Sequence, residues 1–105
     1  MSDDITWRRV RQLLHGVMAR WEGREGRQGM PGIHDYRWET PRDLATDSAM
    51  GKQFIEQGVP GEETNLVISL RKGFGSIPRM PMGGPFLKEE EIQEIVRWID
   101  NGMPE

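Results

Sequence analysis

Residues 77–104, IPRMPMGGPFLKEEEIQEIVRWIDNGMP, constrain this chain most, because a stiff loop runs without a break into an amphipathic helix. Ile92, Ile95, Val96 and Ile99 fall at i, i+3, i+4 and i+7, which lines them up as one apolar stripe and predicts a helix. Glu89, Glu90 and Glu91 occupy its first turn, where carboxylates meet the positive end of the helix dipole. Gly102 stands where a left-handed C-terminal cap is wanted. Upstream, Pro78, Pro81 and Pro85 restrict φ and remove three backbone donors, while Gly83 and Gly84 permit reversal. Such a loop holds Met80 and Met82 in set positions. Methionine fills core gaps more often than it binds ligands, and on spacing alone both roles stay open for Met80.

The N-terminal half carries a second stripe. Over residues 6–22, TWRRVRQLLHGVMARWE, Trp7, Val10, Leu14, Val17 and Trp21 recur at helical spacing, and Leu13 and Met18 widen the stripe. Thr6 is the expected N-cap, although Arg9 supplies no capping-box carboxylate. A polar stretch with Gly26, Gly29 and Gly32 follows; no strand precedes it and no Gly-Lys-Ser/Thr ends it, so a phosphate loop is excluded. Thr40 and Pro41 predict the N-cap and first residue of a short helix running to Thr46. Residues 48–60 hold a brief apolar element with Phe54 and Ile55. Residues 61–72, GEETNLVISLRK, predict a third helix with Leu66, Val67 and Leu70 inward, ended by Gly73 and Gly75.

At 105 residues, without internal repeats or a dividing linker, the chain is expected to be one domain, residues 1–105, around one core. A net charge of −3, spread over residues of both signs, provides no basic field for nucleic acid. The clusters Arg8-Arg9-Arg11 and Arg24-Arg27 read as solvated faces. The absence of cysteine excludes disulfides, thiolate zinc sites and thiol catalysis. No apolar run reaches membrane-spanning length, and MSDDITWRR lacks a signal-peptide core. A cytoplasmic protein is therefore expected, or a periplasmic one if a leader has been removed. His15 lies on the first helix; His34 sits beside Asp35, but no nucleophile or third ligand accompanies that pair. Glu89 to Glu91 form a helix-start cluster, not an acid–base pair. Neither an enzyme nor a metal site is expected.

Arg79-Met80-Pro81, Gly83-Gly84-Pro85, Leu87, Glu90-Glu91-Ile92, Ile95, Trp98-Ile99, Gly102 and Pro104 together resemble the C-terminal half of small bacterial c-type cytochrome domains of the planctomycete-like kind. The resemblance implies an all-α, cytochrome c-like fold of three to five short helices. The N- and C-terminal helices would cross near-perpendicularly through Val10, Leu14, Ile95 and Ile99. In that family the methionine matching Met80 is the axial thioether ligand of haem iron. The family also carries Cys-x-x-Cys-His-Gly at the end of the first helix. Eight residues beyond Val10 the matching positions hold Met18, Trp21, Glu22 and Gly23, so both thioether cysteines and the proximal histidine are missing. The resemblance further implies that Ile33, Tyr36, Arg37 and Trp38 line the former pocket and that residues 61–72 form one wall. Glu22, placed where an iron ligand would point inward, must pair with Arg37 or Arg79, stay protonated, or turn to solvent if the helix end shifts.

A haem-sized void cannot stay empty: at about 24 cal/mol per Å³ it would cost more than the roughly 5–15 kcal/mol by which a domain is stable. Met18, Trp21, Trp38, Phe74, Met80 and Phe86 are the expected internal filling. The expected function is a haem-free interaction or accessory module that binds a partner protein or a second copy of itself, with no cofactor. Two readings stay open beside it. One is non-covalent binding of haem or another planar ligand by Met80, Met82, Trp21, Trp38, Tyr36 and Arg37, with His34 as a second iron ligand. The other is a small subunit of an enzyme complex, in which residues 36–38 complete a partner's active site.

Overall fold

Two helices, each burying one stripe, organise the residues that the computed structural model describes: 5–23, 36–49, 51–73, 79–81 and 84–105. The first, α1 (Trp7–Gly23), buries Trp7, Val10, Leu13, Leu14, Val17, Met18 and Trp21. The last, labelled α4 (Glu89–Asp100), buries Ile92, Ile95, Val96, Trp98 and Ile99. Trp98 extends the stripe read from sequence and is fully buried. The two helices pack directly on each other. Their Trp7 and Trp98 rings lie 5.5 Å apart between centroids. The Arg9 guanidinium meets Glu94 side-on, with Nε 2.8 Å from Oε1 and Nη2 2.9 Å from Oε2.

Beyond α4 the chain turns back through a double cap. The Met103 N–H donates to the Trp98 carbonyl at 2.9 Å and the Gly102 N–H to that of Ile99 at 3.0 Å. This turn needs the φ of +90° that Gly102 adopts. It delivers the Pro104 carbonyl to α1, where it accepts from the Trp7 backbone N–H at 3.0 Å. The same oxygen accepts from the Trp98 indole at 2.8 Å. At the other end of α4, Glu91 does more than meet the dipole: its Oε1 accepts from the Lys88 N–H at 2.9 Å, closing the first turn.

Between these helices lie α2 (Pro41–Thr46) and α3 (Asn65–Arg71). Helix α2 has the predicted bounds, and Thr40 Oγ1 accepts from the Asp43 N–H at 3.1 Å. The described residues are mostly helical, but two expectations need correction. The chain is not purely α: β1 (Ser48–Ala49) and β2 (Lys52–Gln53) pair antiparallel, Ser48 opposite Gln53. Asp47 organises this hairpin, its Oδ1 taking the Ser48 N–H at 2.7 Å and its carbonyl the Phe54 N–H at 3.3 Å. The hairpin thereby turns Phe54 fully into the core. The third helix is also split. A 3-10 turn, Gly61–Glu63, precedes α3, and Thr64 separates them. Its hydroxyl donates to the Gly61 carbonyl at 2.8 Å and accepts from the Val67 N–H at 3.4 Å, ending one element and capping the next. Gly73, at φ +91°, ends α3 as predicted; Gly75 lies outside the described residues.

The 3-10 turn presses on α4. The Gly61 N–H donates to Asp100 Oδ1 at 2.7 Å. A Cβ at Gly61 would lie 2.7 Å from the Val96 carbonyl oxygen and 3.1 Å from its Cα. Arg71 ties the same three elements at the surface, reaching Glu62 with Nη1 at 2.5 Å and Glu89 with Nη2 at 2.7 Å. Among the described residues no helix is long and apolar enough to cross a membrane.

Two outcomes follow from this packing. Gly61→Ala must push α4 away from the 3-10 turn and should destabilise by about 1–3 kcal/mol in urea unfolding. Gly23→Ala, where a Cβ meets nothing within 4 Å, should not destabilise and serves as the control. The hydrogen bond and charge of Arg9 hold the Glu94 carboxyl below its ordinary value of 4.5. A depressed carboxyl contributes stability above about 4.5 that is lost as pH falls through the lower folded value. Arg9→Gln should therefore lower stability at neutral pH and flatten its fall in acid, checked by urea midpoints between about pH 3 and 7.

Candidate functional site

Tyr36, Arg79 and Met80, three of the residues singled out in the sequence, meet at the C-terminal end of α3. Helices leave their last carbonyls without intrahelical partners. Here three of them, at Ile68, Ser69 and Leu70, are satisfied by different routes. The Ile68 carbonyl accepts from the Lys72 and Gly73 N–H groups at 2.8 and 2.9 Å. The Ser69 carbonyl accepts from the Met80 N–H at 2.8 Å. The Leu70 carbonyl accepts from Arg79 Nε at 3.2 Å. Residues 79–80 thus cap α3 from outside, which sets the Met80 side chain into the core at 2% exposure.

Ser69 joins a second chain of bonds. The Tyr36 hydroxyl donates to Ser69 Oγ at 2.7 Å, and Ser69 Oγ donates onward to the Leu66 carbonyl at 2.7 Å. Burial, above all, raises the Tyr36 phenol above its ordinary value of 10.0, partly offset by the Ser69 hydrogen bond. Tyr36, Trp38 and Phe54 form a cluster of rings with centroids 5.0 to 5.2 Å apart, two of the contacts edge-on. The Trp38 indole donates to Asp47 Oδ2 at 2.8 Å. The Trp38 carbonyl lies 2.9 Å from His15 Nε2. A carbonyl only accepts, so His15 carries a proton on Nε2 and acts here as a strut between α1 and residues 36–38.

The C-terminal end of α1 contributes Met18 and Trp21, each 2% exposed and in the same core cluster as Tyr36, Trp38 and Met80. Glu22 is only partly buried and is gripped by Arg37: Nη1 bonds Oε1, and Nη2 lies 3.1 Å from Oε2. Of the two arginines expected as partners, Arg37 takes the carboxylate and Arg79 does not. Phe86 departs from expectation. Instead of filling the interior it is 36% exposed, beneath the Arg79 guanidinium at 4.1 Å from the ring centroid. The turn at Gly84, φ +73°, lays the ring along the outside, and Leu87 takes the inward place at 1% exposure. Ile33, His34, Phe74 and Met82 lie outside the described residues.

Sequence reasoning passed over Ser69 and Asp47. Ser69 had a legible signal: with Leu66 and Leu70 it falls on the inward face of its helix, a polar residue inside an apolar stripe. Asp47 had none, because its bonds to Trp38 and Phe54 form only once the chain has turned through residues 36–54. A separate groove of about 590 Å³ is lined by Ile55, Glu56, Val59, Ile99 and Met103 among others, and none of the described residues expected as ligands lines it. Among the described residues no three His, Asp or Glu side chains gather as a metal site.

No family model, no curated protein and no solved structure matches this chain.

Tyr36 is the single tyrosine of the chain, so its ionisation can be followed without interference from another phenol. A folded phenol raised above the unfolded value supports stability below about pH 10 and loses that contribution as pH rises further. The 295 nm phenolate absorbance should therefore appear together with loss of the folded circular-dichroism signal, not before it. In Tyr36→Phe, alkaline unfolding should shift to higher pH while neutral stability falls by about 1 kcal/mol.

Proposed function

We propose that this chain is a cytochrome c-like domain without haem that serves as a non-catalytic interaction module for a partner protein. The observation that carries the reading is that every described position at which the resemblance would place a haem contact is committed to the chain's own structure. Met18 and Trp21, at the positions of the attachment cysteines, are core side chains without a thiol. Glu22, at the position of the proximal histidine, is held by Arg37. Met80, at the position of the axial thioether, belongs to a segment bound to the end of α3 and is buried.

These side chains do not fit a covalently attached haem, since a thioether link needs cysteine sulfur and Glu22 offers a paired carboxylate in place of an imidazole. Nor do they form a catalytic constellation. Tyr36 is held protonated and hydrogen-bonded to Ser69, and the buried side-chain polar atoms among the described residues all have partners. A scaffold whose interior is satisfied by its own side chains is left with its surface as the means of action.

The test is a haemin titration followed by ultraviolet–visible absorption, paired with purification of the tagged chain from its source cells. The expected result is no saturable shifted Soret band, together with a stoichiometric protein complex that is recovered again when the partner carries the tag. Met80→Ala should cost about 2–5 kcal/mol of stability, as loss of a core side chain does. A one-equivalent Soret band abolished by Met80→Ala would replace this reading with non-covalent haem binding. A chain that recovers no stoichiometric partner and elutes as a monomer at all concentrations would overturn it.

A further inference from the structure

Four arginines among the described residues are half-buried: Arg9, Arg37, Arg71 and Arg79. Three of them share one solution to the cost of partly desolvating a cation. Arg9 holds Glu94, Arg37 holds Glu22, and Arg71 holds Glu62 and Glu89. Arg79 has no carboxylate among the described residues. It is nonetheless fixed, its Nε on the Leu70 carbonyl at 3.2 Å and its Cζ over the Phe86 ring at 4.1 Å from the centroid. One of its five N–H donors is used, and the end-on edge formed by Nη1 and Nη2 makes no hydrogen bond within the described residues.

The carbonyl contact explains why Nε is where it is: it satisfies the end of α3. It brings no counter-charge from the described residues, and a ring face contributes only about 0.5–1 kcal/mol at a partly exposed site. A side chain free to find water would not be pinned along both its length and its face. The ring beneath it is also the one large apolar side chain that is exposed among the described residues. A rigid arginine against an exposed aromatic is the pairing that interface hot spots favour.

We infer that Arg79 and Phe86 form the docking point for a partner-protein segment, with an Asp or Glu carboxylate seated end-on across Nη1 and Nη2 and a neighbouring apolar side chain on the Phe86 ring. The inference rests on the partner-binding reading and names its contact chemistry. Charge complementarity selects the occupant: a planar monoanion matches the open edge of the fork. Glu89 and Glu90 follow Phe86 closely in the sequence and the chain carries a net charge of −3, so an acidic run or a phosphate dianion is disfavoured. The segment therefore carries a single acid between apolar residues.

The probe is the blocked pentapeptide acetyl-Ala-Leu-Glu-Leu-Ala-amide, titrated into the isotopically labelled full chain and followed by nuclear magnetic resonance at the Arg79 Nε–H and the Phe86 ring. Saturable shifts at both groups are expected, with binding at least about tenfold weaker for the Gln-containing twin. Arg79→Lys should weaken binding through loss of the fork, and Phe86→Ser, a surface change that leaves the core intact, should weaken it as well. Equal binding of the Glu and Gln peptides, saturable shifts that map elsewhere, or no saturable shift at either group would overturn the inference. None of these would touch the partner-binding reading, which is decided by the haemin titration and the reciprocal purification.

Discussion

The carbonyl oxygen of Pro104 is the point on which both ends of the chain depend. It accepts from the first amide of α1 and from the indole of Trp98, and Trp98 is fully buried. Without that oxygen two donors at a helix–helix contact would be orphaned, each at a cost of about 1–3 kcal/mol. The oxygen reaches them only because Gly102 turns the chain back after α4, and that reversal brings Met103 against the core. With α1 and α4 joined in this way, the 3-10 turn closes on α4 at Gly61, and α3 follows directly behind it.

The second dependency is the end of α3. Its last carbonyls are satisfied from three directions, and two of those partners come from residues 79–80. The same helix end receives the Tyr36 hydroxyl through Ser69. One short helix therefore sets the places of Met80, Arg79 and Tyr36, although Tyr36 lies more than forty residues from the other two in the sequence. The consequence is chemical as well as structural. A methionine whose backbone caps a helix and whose side chain fills the core is committed to packing, and a phenol buried beside it in the same core keeps its proton. Around this packed core lies the surface of the described residues.

That surface is uneven in how it handles charge. Glu22, Glu62, Glu89 and Glu94 are each matched by an arginine, so α1, α3, α4 and residues 36–38 are tied together by ion pairs. Exposed pairs of this kind add about 0–1 kcal/mol each and do not decide the fold. Their value lies in contrast. Against that background Arg79 stands out as a held cation with no carboxylate partner among the described residues, beside the exposed ring of Phe86.

Periodicity alone determined the helices: the stripes of α1 and α4, the Thr40–Pro41 start of α2 and the glycine stops at Gly73 and Gly102 are local signals, and local backbone physics decides them. The cost of an unpaired carboxylate left Glu22 a choice of Arg37, Arg79, protonation or solvent, and only the path of residues 36–38 selected Arg37. Thr64 split the predicted third helix because its hydroxyl and the close approach of Gly61 to α4 outweigh helix propensity, and that approach is a tertiary fact. The hairpin of residues 48–53 and the exchange of Phe86 for Leu87 as core side chain were decided the same way. Both depend on where a turn aims the chain, and a period-based reading has no term for direction. The lack of cysteine excluded thiol chemistry; the capping of α3 by residues 79–80, and with it the commitment of Met80 to the core, exists only once distant segments meet.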